Sequence, residues 1–248
     1  MIDTAPHTCI LDVQGLTVSY DGSPVLDDLS FTVPRHSFAV IVGPNGGGKS
    51  TLMQALLGIK KPVSGSIQFH MQNNLPAPVA YVPQKKNIDW HFPITVSEVV
   101  MMGRYPYQGF LARASEYDKQ IVFQSLKTVG MDVYADRPIG RLSGGQQQRV
   151  FFARALAQEP ELYLLDEPFA AVDVATEAEL LAVLEAEQLK GKTIIMVHHD
   201  LNTISTYADY IVLLNKKLFA ATDLASCSYA DLVRAYGRAV VSWHKDSV

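Results

Sequence analysis

The chain has 248 residues, 48% of them hydrophobic, enough to bury a large core without disulfide or metal staples. Its 21 basic and 25 acidic residues leave a formal charge of −4 and give no general electrostatic reason to bind nucleic acid. Cys9 and Cys227 stand far apart without C-x-x-C spacing, the start MIDTAPHTC lacks the basic and apolar regions of a secretory signal, and no apolar run approaches the roughly 20 residues that span a bilayer, so a disulfide framework, a cysteine metal site and a membrane anchor are not expected.

In chain order, CILDVQGLTVSYDG alternates apolar and polar positions up to the turn signal Asp21-Gly22, and FTV follows, which predicts an antiparallel β layer at the front. SFAVIVGPNGGGKSTLMQALLG runs from a continuous apolar strand through glycines into a helix closed by Gly58. Further buried strands are predicted at PVAYVPQ, ELYLLDEP, KTIIMVHHD and DYIVLLN, separated by helices such as VATEAELLAVLEAEQLK, which ends at Gly191. This alternation predicts an α/β fold, a mainly parallel sheet with helices on both faces. From 85 to 149 strand signals give way to helix signals, with Thr95 and Glu98 at capping-box spacing, as in an inserted helical subdomain. The nucleotide-binding core is then expected from 1–84 and 150–248, and the final LVRAYGRAVVSWHKDSV reads as a surface-packing helix.

Gly43-Pro44-Asn45-Gly46-Gly47-Gly48-Lys49-Ser50 fits G-x-x-x-x-G-K-[ST] and stands after a strand and before a helix, where the mechanism needs it. Glycines let successive N–H groups turn inward around phosphate oxygens, the helix N-terminus adds partial positive charge, Lys49 reaches the β- and γ-phosphates, and the Ser50 hydroxyl suits Mg²⁺. LYLL ends in Asp166-Glu167; neighbours on a strand face opposite ways, so Asp166 is the candidate for Mg²⁺ and Glu167 the general base for attacking water. Ser143, Gly144, Gly145 and Gln146 open the helix QQQRVFFARALAQ, either as a plain N-cap or as a second anion site. His198 and His199, as strand neighbours, are expected on opposite faces with no further ligand nearby, which argues against a transition-metal site.

LSGGQ standing shortly before a hydrophobic strand with Asp-Glu resembles the signature of ABC-type ATPases, and the likeness spans nearly the whole chain. It implies a P-loop fold of the RecA-like kind and ATP with Mg²⁺ as cofactors. It further implies a homodimer in which the Ser143 segment of one copy completes the nucleotide site on the Gly43–Thr51 loop of the second copy. By the same resemblance Tyr20 stacks on adenine, Gln84 contacts Mg²⁺ and water, Asp173 crosses the dimer interface, and His199 contacts the γ-phosphate and assists Glu167. Two departures from the family's commonest wording are Gly47, where alanine is usual, and Ala171, where glycine is frequent. A small-molecule kinase has no use for LSGGQ, a repair ATPase would carry long coiled-coil arms, and a translation factor two tandem halves. The stretches IDWHFPITVSEVVMMGRYPY, RPIGRLSGGQQQRVFFARALAQ, LLDEPFAAVDVATE and MVHHDL are similar to ATPases of manganese, zinc and iron importers, closer to the manganese or iron branch. That likeness implies an integral membrane permease as partner, docked near Trp90–Tyr107, a metal-binding extracytoplasmic protein as indirect partner, and a place on the cytoplasmic face of the plasma membrane. The alternatives are the same kind of motor for another substrate, or a non-transport ATPase of this type.

Overall fold

The structure is a computed structural model that describes residues 8–84, 93–108, 113–170, 172–199 and 201–237. Two compact units divide it, Met1–Gln72 with Thr193–Val248, and Asn73–Lys192.

In the first unit, alternation sets the opening strands. β1 (Cys9–Tyr20) buries Leu11, Val13, Leu16 and Val18, then turns at Asp21 and Gly22, both at positive φ, into β2 (Ser23–Pro34). β1 pairs antiparallel with β2 (Val13 opposite Phe31) and with β4 (Ser64–Phe69; Val13 opposite Ile67). The expected antiparallel layer is therefore present, but its second strand is longer than FTV. β4 escapes sequence reading because none of its residues is buried, so it carries no apolar period.

A second group of strands runs β7-β3-β8-β9. β3 (Phe38–Val42) and β7 (Thr193–Val197) are buried at every position, as parallel strands covered on both faces are. β8 (Tyr210–Asn215) lies parallel on the other side of β3, and β9 (Lys217–Asp223) adds an antiparallel edge after a tight turn at Lys216. α1 (Lys49–Leu56) follows β3, the short α6 (Leu201–Ile204) follows β7, and α7 (Tyr229–Tyr236) packs on β8 and β9. Only the start of the helix expected from 232 onward lies within the described residues.

In the second unit, β5 (Val79–Val82) and β6 (Leu162–Asp166) form a parallel pair. α2 (Val96–Met101), α3 (Glu116–Thr128) and α4 (Gly144–Ala157) pack on one another, and α5 (Val174–Leu189) follows β6. α2 starts on the expected capping box, Thr95 N donating to Glu98 Oε2 at 2.8 Å, and α3 on a second one built by Ser115 and Asp118. The three helices are tied by Arg104, whose guanidinium donates to Asp118 (3.0 Å), Glu159 (2.8 Å) and the Ala157 carbonyl (2.9 Å). Trp90, Ala171 and the tail beyond 237 lie outside the described residues.

Candidate functional site

The phosphate loop occupies the span between β3 and α1. Gly43, Gly47, Gly48 and Lys49 are buried, Pro44 and Thr51 half-buried, and Asn45, Gly46 and Ser50 exposed. Gly48 holds the N-cap position of α1 at φ 97°, a left-handed geometry that glycine adopts without strain, and no side chain caps the helix start. The first N–H groups of α1 thus have no side-chain acceptor within the helix cap and suit an anion from outside. Lys49 Nζ donates to the carbonyls of Gly43 (2.8 Å) and Pro44 (3.0 Å), which fixes the ammonium inside the loop. The Gly47 N–H donates to the Pro44 carbonyl at 3.0 Å. A Cβ on Gly47 would stand 2.9 Å from that carbonyl and 3.1 Å from the Leu214 carbonyl, so the departure from alanine matches a loop with no room for a methyl group.

Tyr20, 40% exposed, closes β1; its hydroxyl donates to Gln54 Oε1 at 2.9 Å, and the Lys60 ammonium lies 4.1 Å from its ring centroid. An exposed ring fixed at its hydroxyl end can stack a base. Gln54 and Lys60, the residues that hold it, give no sequence signal because they lie more than thirty positions away.

His199 is exposed just past the end of β7, whereas His198 is buried and lies 3.2 Å, through Nε2, from Thr203 Oγ1. The two rings are 5.3 Å apart and stacked, so the expectation that they face opposite ways is corrected: β7 ends at Val197, and strand alternation does not reach them. Among the described residues no group of three or more His, Cys, Asp or Glu could hold a metal ion.

In the second unit Asp166 ends β6 nearly buried. Burial, and next the Asp166 charge, push the neighbouring Tyr81 phenol up to about 12. Glu167 follows at φ 44°, a left-handed conformation that costs a non-glycine residue energy. Gln84, two residues past β5, donates through Nε2 to Glu167 Oε2 at 2.7 Å. The structure therefore brings together two residues that sequence reading assigned separately. This hydrogen bond leaves the second carboxylate oxygen of Glu167 as an acceptor and presents the amide oxygen of Gln84 rather than its nitrogen to a cation.

Ser143 caps α4 in a full box with Gln146: Ser143 Oγ accepts from Gln146 N (3.3 Å) and Ser143 N donates to Gln146 Oε1 (3.0 Å). Asp173 caps α5, accepting from Thr176 N and Thr176 Oγ1, each at 2.9 Å. Those bonds hold its carboxyl below the usual carboxylate range. Sequence reading missed Arg149, which joins the two caps by donating to Thr176 Oγ1 at 3.0 Å and pairing with Glu179 at 2.6 Å. Ser143, Gly145, Gln146, Arg149 and Asp173 line one polar cavity of about 310 Å³.

Comparison with known proteins places these features in context. A family model described as "ABC transporter" matches residues 26–170. The manganese transport system ATP-binding protein MntB of Halalkalibacterium halodurans is 44% identical over 227 residues, 90% of each chain. The zinc transport system ATP-binding protein TroB of Treponema pallidum is 42% identical over 245 residues, 98% of this chain and 92% of that one. Among solved structures, the dimeric structure of MJ0796, a bacterial ABC transporter cassette, superposes with a TM-score of 0.75 at 27% identity, covering 86% of this chain and 98% of the cassette. The fold class read from the sequence, a P-loop fold with a mainly parallel sheet, is the one these likenesses show.

Proposed function

This chain belongs to the ABC transporter family, and on that premise we propose that it is the ATP-binding and ATP-hydrolysing subunit powering uptake of a transition metal ion through a separate membrane permease. Near-full-length likeness to proteins named for manganese and zinc transport carries this reading. Manganese leads and zinc follows; iron rests on sequence wording alone. No helix among the described residues is long and apolar enough to cross a membrane, which fits a subunit held at the cytoplasmic face by a permease. The helical subdomain, 85–149, offers exposed Met102 and Tyr105 as contacts for that partner, and an extracytoplasmic metal-binding protein would feed it.

In this reading two copies pair head to tail. Nucleotide lies on Gly43–Thr51 of one copy, its base against Tyr20 and its γ-phosphate at Lys49, with Ser143–Gln146 of the second copy closing over that phosphate and Asp173 crossing the interface between the copies. Glu167 accepts a proton from the attacking water while Gln84 holds its other oxygen, and His199 contacts the γ-phosphate. Ser50 of the first unit offers a hydroxyl, and Gln84 and Asp166 of the second an amide oxygen and a carboxylate; each is an oxygen donor of the kind that would hold Mg²⁺. Bound there, the ion supplies neutralisation of phosphate charge.

Glu167→Gln tests the assignment. It should keep ATP binding and lower turnover by roughly 10²–10⁴-fold, the usual yield of a general base. Cells carrying it should lose one metal selectively under scarcity of manganese, iron and zinc. Unchanged turnover refutes the base; unchanged metals, with the variant stably made, refute the metal assignment and leave the ATPase.

A further inference from the structure

The phosphate loop is walled by a part of the chain that none of its motifs mentions. A Cβ on Gly43 would sit 1.8 Å from the Leu214 carbonyl oxygen, so the loop and the end of β8 are in direct backbone contact. One step on, the Lys216 N–H donates to the Gly47 carbonyl at 2.8 Å, and the Lys216 carbonyl accepts from Asp27 N at 2.9 Å. Lys216 takes φ 58°, a left-handed turn that aims its N–H at the loop. The Lys217 ammonium adds an ion pair to Asp27 at 3.0 Å. The turn between β8 and β9 is thus the outer wall of the loop.

That wall is fastened from behind by α7. Asn215, whose Cα lies 3.4 Å from where a Gly47 Cβ would stand, donates through Nδ2 to the Ala235 carbonyl at 2.8 Å. This satisfies one of the last carbonyls of α7, which no residue of the helix can reach. Tyr236, the last residue of α7, buries its hydroxyl beside the Gly43 N–H without reaching full hydrogen-bond geometry. Burial there pushes its phenol up to about 12, so it stays neutral at any working pH.

We propose that Asn215 and Tyr236 are positioning residues for ATP: Asn215 through the β8–β9 turn, and Tyr236 from beside Gly43, hold the Gly43–Gly48 backbone in the curvature that cradles phosphate, making the end of α7 a lever on nucleotide affinity. The proposal rests on Gly43–Thr51 being the ATP loop. None of these groups meets the reacting atoms, so loosening them changes how tightly nucleotide is held and not how fast bound nucleotide reacts.

The test measures binding of fluorescent ATP and ADP analogues, steady-state kcat and KM, and thermal midpoint on the full chain for Asn215→Ala, Tyr236→Phe and Lys49→Ala. Asn215→Ala should weaken ATP and ADP binding and raise KM by about fivefold, the order of one net hydrogen bond, with kcat within about twofold. Tyr236→Phe keeps the ring and separates packing from hydroxyl; it should give a smaller change of the same kind. A fall in thermal midpoint for Asn215→Ala with affinity and KM unchanged overturns the proposal by making Asn215 structural only. If Lys49→Ala also leaves binding unchanged, the loop assignment itself fails; if Lys49→Ala abolishes binding while Asn215→Ala does not alter it, only the lever fails.

Discussion

Arg104 offers a sharp test of how the second unit is held. Its side chain is 3% exposed and its partner Asp118 is 8% exposed, whereas Glu159 is 43% exposed. Replacing Arg104 by Met keeps the apolar stem over the Tyr107 ring, which the guanidinium now covers at 4.2 Å, but strands a buried carboxylate. The solvated Glu159 contributes little, about 0–1 kcal/mol. Breaking the pair to Asp118 costs about 3–5 kcal/mol. At about 2–4 °C per kcal/mol for a chain of this size, the thermal midpoint should fall by about 6–20 °C. Burial raises the Asp118 carboxyl, but hydrogen bonds from Ser115 and Arg104, with the Arg104 charge, outweigh it and hold it below its ordinary value. A depressed folded value means that the contribution is present above the unfolded Asp value of about 3.9 and is lost as pH falls through the folded one. The gap between wild type and Arg104→Met, followed by circular dichroism, should therefore be level at neutral pH and narrow below about pH 4. Adding Asp118→Asn to Arg104→Met should restore most of the loss, because the amide keeps an acceptor oxygen for the Ser115 box and leaves no charge uncompensated. A midpoint within about 2 °C of wild type for Arg104→Met, or no recovery in the double variant, refutes the reasoning.

Four further outcomes follow from the geometry. Gly43→Ala, with its methyl forced against the Leu214 carbonyl, should cost about 1–3 kcal/mol in chemical denaturation and abolish ATP binding. Gly47→Ala meets the Pro44 carbonyl at 2.9 Å and should be milder, near the lower end of that range of about 1–3 kcal/mol, with a raised KM for ATP. Ser143→Ala removes the α4 cap and should cost about 1 kcal/mol; if Ser143 also meets nucleotide, turnover at a temperature well below the midpoint should fall far more than that stability loss accounts for. Tyr20→Ala should weaken ATP binding by about tenfold, with Tyr20→Phe close to wild type, since stacking uses the ring and not the hydroxyl; equal losses in both variants, read by nucleotide titration, would assign the effect to the Gln54 contact.

Reading from sequence worked best where the signal is local. The strand, glycine turn and helix around Gly43–Ser50 follow one another within a few residues, and so do the Thr95–Glu98 and Ser143–Gln146 boxes. Alternation does not hold at the histidine pair, because the strand ends at Val197 ahead of both rings, and β4 and β9 give no sequence signal, since all their residues are half-buried or exposed. Asp173 was visible as a helix start, but that its carboxylate is bound to Thr176, and through Thr176 to Arg149, was not.

What the sequence by itself determined is the local framework of the proposed chemistry: a glycine-rich turn between strand and helix, a carboxylate pair at a strand end and a capped helix, each written in contiguous residues. Only the tertiary structure decided what supports that chemistry. The pairing of Phe38 with Ile194, the seating of Gly43 against Leu214 and the hold of Asn215 on Ala235 join residues that no local period relates. Their cause is long-range packing and hydrogen bonding, set by where distant backbone segments meet and not by any local pattern of side chains.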